Sequence, residues 1–213
     1  MARKKSPEAN ETQFVVKPLI EWLKNQNAQW KIYKPRYGTS STGWDIEAQR
    51  KNQDLLIEAK YINGPFLSSF SGLIAAPLAK RPQHFLKKKY RSWCHRVCWA
   101  IGCKGDLISL YQIMFDYFMR NITFWQHYCK DLRMEYIFFI EDLKIFKISF
   151  SKFIELAECY KKQVSLQTKL RDKRKIAGLI MRNYCAGPRR ANVIRGQDRG
   201  QMARMSWTKG VRI

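Results

Sequence analysis

In Leu55-Leu56-Ile57-Glu58-Ala59-Lys60-Tyr61 an apolar run takes on charge at alternate positions. An extended strand repeats every two residues, so it sends Glu58 and Lys60 to one face and Ile57, Ala59 and Tyr61 to the other. Trp44 to Gln49 reads as a second strand, and the polar tetrapeptide Arg50-Lys51-Asn52-Gln53 between the two has the length of a hairpin connection. Such a hairpin brings Asp45 beside Glu58. It also places both near a sheet end where the small-residue loop Tyr37-Gly38-Thr39-Ser40-Ser41-Thr42-Gly43 opens toward a ligand.

The surrounding segments predict an α/β domain. Val15, Leu19, Trp22 and Leu23 share one face of a helix over about Glu11 to Asn25, with Pro18 as a point where it starts late or kinks. A short strand is expected at Gln29 to Tyr33, and a loop with one short helix over Asn63 to Ala79. A basic helix over Gln83 to Trp93, a strand at Val97 to Gly102 and a strand at Glu135 to Glu141 follow. The helix over Leu107 to Arg120 is apolar nearly all round, which predicts a buried helix or a docking face for another subunit. Ser151 is the expected N-cap of a long helix whose Phe153, Ala157, Tyr160 and Val164 form one stripe. The division that results is a basic N-terminus over 1–10, an α/β domain over 11–148, a basic helical extension over 149–185 and a basic tail over 186–213.

Of the 213 residues, 40 are Lys or Arg and 17 are Asp or Glu, a net charge of +23. A surface so basic repels itself unless a polyanion neutralises it, and nucleic acid is the commonest such partner. From Lys161 onward fifteen Lys and Arg face only Asp172 and Asp198, so a surplus of +13 lies there. Phosphate contacts are expected from Lys87, Lys88 and Lys89, and from Arg171, Lys173, Arg174 and Lys175. A 46% hydrophobic content argues for a folded chain, while no apolar stretch has the length of a membrane span and no secretion signal opens the sequence. The six Cys lack the spacing of a disulfide framework, and Cys94-His95-x-x-Cys98-x4-Cys103 has no second ligand pair to make a zinc site. The expected location is the cytoplasm, or the nucleoid.

Two carboxylates held as close as Asp45 and Glu58 repel unless a cation sits between them. A hard divalent ion with oxygen ligands suits that position, and Mg²⁺ keeps waters that can attack phosphorus. The Lys60 ammonium two residues on would orient such a water and offset charge in the transition state.

An aspartate at the start of one strand followed by Glu58-Ala59-Lys60 in the next resembles the PD-(D/E)xK nuclease superfamily. The likeness covers about residues 11–102 and is nearest to the Holliday-junction-resolvase and Mrr-type branches. Trp44 stands where the family usually has proline. The resemblance implies a restriction-endonuclease-like core, a mixed central sheet flanked by helices, with residues beyond 102 as a helical extension outside the motif. It implies a metal-dependent DNA endonuclease with Asp45, Glu58 and Lys60 as catalytic residues, and Mg²⁺ (or Mn²⁺ in its place) on Asp45 and Glu58. Products would be a 5′-phosphate and a 3′-hydroxyl, and a homodimer is the default assembly. Relatives often add a metal-binding glutamate from the upstream helix, a role that falls on Glu11, which shares a face with Val15 and Leu19; a solvated glutamate at a helix start is the other reading. Gln83 and His84 follow the motif at positions able to reach DNA or water, or simply solvent.

Two other readings remain open from the sequence. In one, a half-buried hairpin turns its charged face to solvent, and the chain is a non-catalytic basic nucleic-acid-binding protein. In the other, it is a subunit of a DNA-processing complex that docks through the 107–118 helix.

Overall fold

The structure, a computed structural model, describes residues 10–25, 30–33, 44–50, 53–63, 70–78, 95–103, 106–141 and 144–186. Its centre is a six-stranded mixed sheet in the order β1 (Lys31–Tyr33), β2 (Ile46–Arg50), β3 (Gln53–Ile62), β4 (His95–Cys103), β5 (Met134–Glu141) and β6 (Lys144–Ser149). Neighbours in sequence are neighbours in space throughout. The β1–β2, β2–β3 and β5–β6 pairs are antiparallel, whereas β3–β4 and β4–β5 are parallel and therefore need crossovers. The predicted hairpin forms with Arg50 opposite Gln53, one residue tighter at each side than the tetrapeptide suggested.

One face of the sheet carries the N-terminal helix. This helix is already formed at residues 10–11, passes through a π turn, Thr12–Val16, and continues as α1, Lys17–Asn25. Pro18 explains the change of pitch. Its ring would crowd the carbonyl four residues back and it has no N–H to give, so the preceding turn widens and the Lys17 N–H reaches the Thr12 carbonyl five residues away. Val15, Val16, Leu19 and Leu23 then bury against Ile46, Ala48, Leu55, Ile57, Ala59, Cys98, Ala100, Phe138 and Ile140. On β4 this face consists of Cys98, Ala100 and Gly102, and that row of small residues lets the helix come close. A Cβ at Gly102 would lie 2.8 Å from Val15 Cγ2 and 3.2 Å from Tyr61 Cδ2.

The other face is built of large side chains. Trp99 on β4 touches the rings of Phe70, Phe118, Trp125, Tyr128 and Phe150. These rings come from α2 (residues 70–78), α3 (Leu107–Phe118), α4 (Ile122–Leu132) and α5 (Phe150–Gln163). Asp106, Asn121 and Ser149 cap the starts of α3, α4 and α5 by accepting from the Ser109, Phe124 and Lys152 N–H groups. The cap of α5 is thus Ser149, not Ser151, because β6 occupies 144–149, a strand that the sequence did not signal.

The basic helical extension expected over 149–185 consists of two helices. Val164 ends α5, and α6 (Leu170–Ala186) folds back across α3 and α5. Ala177, Ile180 and Met181 of α6 belong to the same core as Trp99, so these helices complete the layer over the sheet rather than extend from it. They also answer the question raised by the apolar 107–118 helix. Phe115 stacks on Phe153 and contacts Tyr160, so much of that surface is filled within the chain. Among the described residues no helix is long and apolar enough to cross a membrane.

The close approach at Gly102 gives a test. Gly102→Ala must displace the wholly buried Val15 and is expected to cost about 1–3 kcal/mol in urea unfolding. Gly72, in α2 with nothing within 4 Å of an added Cβ, should gain roughly 0.5–1 kcal/mol on change to Ala. Equal melts for Gly102→Ala and the parent would mean that the helix does not rest on β4 in this way.

Candidate active site

The site lies along the edge of β3 where β2 has not yet begun. Pairing between the two strands runs from Arg50–Gln53 to Ile46–Ile57, so the N–H groups of Ala59 and Tyr61 point past the first residue of β2. A backbone donor left without a partner in a partly buried setting is costly. Two carboxylates meet that need. Asp45 Oδ2 accepts from the Ala59 N–H at 2.7 Å, and the Glu11 carboxylate accepts from the Tyr61 N–H. Residue 60 lies between those two donors, and Lys60 Nζ stands 3.5 Å from Glu11 Oε2.

Glu11 thus joins the motif residues although it comes from the helix on the opposite face. Burial raises its pKa; Lys60 and the hydrogen bonds pull it down, and the charge of Asp45 pushes it up again. The net direction is upward because burial outweighs the pull of Lys60 and of the hydrogen bonds.

Glu58 is set near this edge by the strand register. Continuing the β2–β3 register sets it opposite Asp45, and on β4 its partner is Trp99. Alternation along β3 puts it on the same face as Lys60 and the large-residue core. There its charge reaches the hydroxyl of Tyr128, whose pKa is raised by burial first and by Glu58 second. That hydroxyl donates to the Ile74 carbonyl at 2.9 Å, and the Trp99 indole lies against the same ring. Tyr128 therefore links α4, α2 and the floor beneath Glu58. The sequence carried no sign of this, because Tyr128 is seventy residues from Glu58 and occupies an ordinary helical core position.

Among the described residues no three Asp, Glu, His or Cys side chains form a ready-made cage for a metal ion. The donors that do converge are hard carboxylate oxygens. Mg²⁺ commonly takes one or two of these and keeps waters for the rest, so the set suits that ion.

The predicted phosphate contacts divide. Lys87, Lys88 and Lys89, with Gln83, His84 and the 37–43 loop, lie outside the described residues. On α6, Lys173 Nζ is 3.6 Å from Asp116 and Arg174 is 3.7 Å from Asp106. Arg174 also donates to Ser109, and Tyr160 donates to Asp116 at 3.1 Å. These two cations clamp α6 to α3. Lys175 pairs with Asp172 one turn away, at 3.9 Å on the exposed surface, while Arg171 has no ion pair among the described residues. His95, assigned no role from sequence, is buried with Nδ1 3.6 Å from Asp54. Cys98 and His95 are buried in β4.

Comparison with protein-family models, curated proteins and solved structures found no match to this chain.

The role of Asp45 as a strand-edge acceptor separates from its charge by substitution. Asp45→Ala strands the Ala59 N–H and should destabilise the fold by about 1–3 kcal/mol. Asp45→Asn keeps an oxygen acceptor and should lose about 1 kcal/mol or less, since only the charge-assisted part of the bond goes. Chemical unfolding of both variants checks this, and equal losses would remove the edge-capping role.

Proposed function

We propose that this chain is a metal-dependent endodeoxyribonuclease of the PD-(D/E)xK type, a phosphodiester hydrolase acting on DNA. The observation that carries the reading is the convergence of Asp45, Glu11 and Lys60 on one strand edge, with Glu58 set opposite Asp45 by register. The order of elements supports it. A helix, two antiparallel pairings with the acid before β2 and Glu-x-Lys in β3, then a helical segment and a parallel β4, is the arrangement that the motif implies.

Asp45, Glu58 and Glu11 would hold Mg²⁺, or Mn²⁺ in its place. Bound there, the ion supplies Lewis acidity toward the phosphate and a water of lowered pKa. The chain's own groups do the rest. The Ala59 N–H fixes the plane of the Asp45 carboxylate, so its orientation is set before substrate arrives. Lys60, 40% exposed at its side chain, is placed to hold a water by hydrogen bonding and to offset negative charge on the phosphoryl oxygens. Its contact with Glu11 keeps the ammonium at the edge instead of free in solvent.

A second reading has one observation in its favour. Glu11 with Lys60, and Asp45 with the Ala59 N–H, also satisfy one another without any ligand. On that reading the carboxylates only close the sheet edge, and the +23 chain holds nucleic acid without cutting it. Its affinity would then fall steeply with salt and be indifferent to divalent metal.

Supercoiled plasmid distinguishes the two. The parent protein should nick it in Mg²⁺ and leave it intact in EDTA. Asp45→Asn, Glu58→Gln and Lys60→Ala should each slow cleavage by about a hundredfold or more, as loss of a transition-state contact does. Cleavage that persists in EDTA, or that these variants leave at the parental rate, rules out this active site.

A further inference from the structure

Beside the carboxylate–lysine centre the helix shows an aromatic ring to solvent. Phe14 is 41% exposed, although it lies between the buried Val15 and the site residue Glu11. It stacks on Tyr61, with ring centroids 5.1 Å apart and planes inclined by 29°. Tyr61 in turn lies against β4, where the missing side chain of Gly102 makes room for it. The two rings thus form a short stack rooted on the sheet, with Phe14 outermost. Tyr61 is the residue after Lys60, and its N–H holds Glu11, so the base of the stack and the ionic centre share one stretch of backbone. The ring is carried on the π turn Thr12–Val16, a rare geometry that recurs at functional positions.

We propose that Phe14, backed by Tyr61, is a stacking platform for an unpaired nucleobase next to the reacting phosphate, so that the substrate is DNA with single-stranded or splayed nucleotides rather than continuous duplex. The proposal rests on the nucleic-acid reading given above. The occupant follows from three features together. A flat, partly exposed ring offers its face to another π system, and every base has one. Aromatic stacking is open only to bases that have left the helical stack. The net charge of +23 favours a polyanion as the partner of the chain as a whole. A peptide aromatic would satisfy the first feature and not the third.

Equilibrium binding in EDTA tests this without interference from cleavage. The probes are a short single-stranded oligonucleotide carrying 2-aminopurine and a blunt duplex of the same sequence. Phe14→Ala should weaken single-strand binding by about five- to a hundredfold and duplex binding by less than about twofold, the range lost with one stacked base. The parent should quench the 2-aminopurine fluorescence, and Phe14→Trp should keep the quench. Phe14→Leu retains apolar bulk against Tyr61 without a ring, and it should behave as Phe14→Ala does. Parental binding by Phe14→Leu, or equal losses on single strand and duplex, overturns the platform and leaves Phe14 as a packing residue. Failure of the parent to bind either probe overturns both this proposal and the nucleic-acid reading. Plasmid nicking that survives while the platform fails separates the two.

Discussion

A strand edge that outruns its neighbour sets the terms for this molecule. Because β2 begins at Ile46, β3 carries two N–H groups beyond the last paired residue, and both point toward the space where Asp45 and Glu11 stand. Most proteins cover such an edge with another strand, a loop or a bulge. Here carboxylates do it, which draws negative charge into a partly buried place and makes a nearby cation necessary. Lys60 supplies one positive charge, and it is the only residue whose position in β3 lies between the two donors. The same local geometry thus explains why an aspartate precedes β2, why a lysine follows Glu58 by two, and why a glutamate from a distant helix is pulled in.

That distant helix reaches the edge only because the two faces of the sheet differ in depth. On β4 the α1 side is Cys98, Ala100 and Gly102, while the other side is Val97, Trp99 and Ile101. A helix lying on the shallow face comes within contact of the backbone, and its first turn arrives at the level of Tyr61. On the deep face the aromatic layer lifts α3, α4 and α5 away from the strands. Glu58 points into that deeper space, where Tyr128 closes the floor under it. One carboxylate therefore meets a close-packed helix and the other a thick aromatic layer.

Much of this was legible in the sequence because it follows from local periodicity. The alternation in 55–61 gives β3 and its two faces, and the apolar positions at Val15, Leu19 and Leu23 give the first helix. Pro18 marked the right place for an irregularity, though not its form. What escaped depends on long-range packing. Lys144-Ile145-Phe146-Lys147-Ile148-Ser149 lacks the strict apolar–polar alternation that announces a strand, and missing β6 moved the expected cap of α5 by two residues. The basic composition of 161–186 suggested an arm for DNA. It could not reveal that Lys173 and Arg174 answer Asp116 and Asp106 on α3, since those acids are more than fifty residues earlier. Glu11 was expected either to share the inward face of Val15 and Leu19 or to be solvated, and its contacts with Lys60 and Tyr61 are ones that helical periodicity does not reach.

The use made of the α6 cations bears on where a polyanion would be held. Ion pairs across exposed surface contribute little to stability each, so the Lys175–Asp172 pair adds little to the anchoring of α6. Lys173 differs, being only 19% exposed and held beside Asp116, whose other contacts are Tyr160 and Gln112. Pulling it away would leave a carboxylate half-buried among core groups. The helix is thus anchored through one side of its charge. Positive charge has one visible use in these helices: Lys173 and Arg174 fasten α6 to α3.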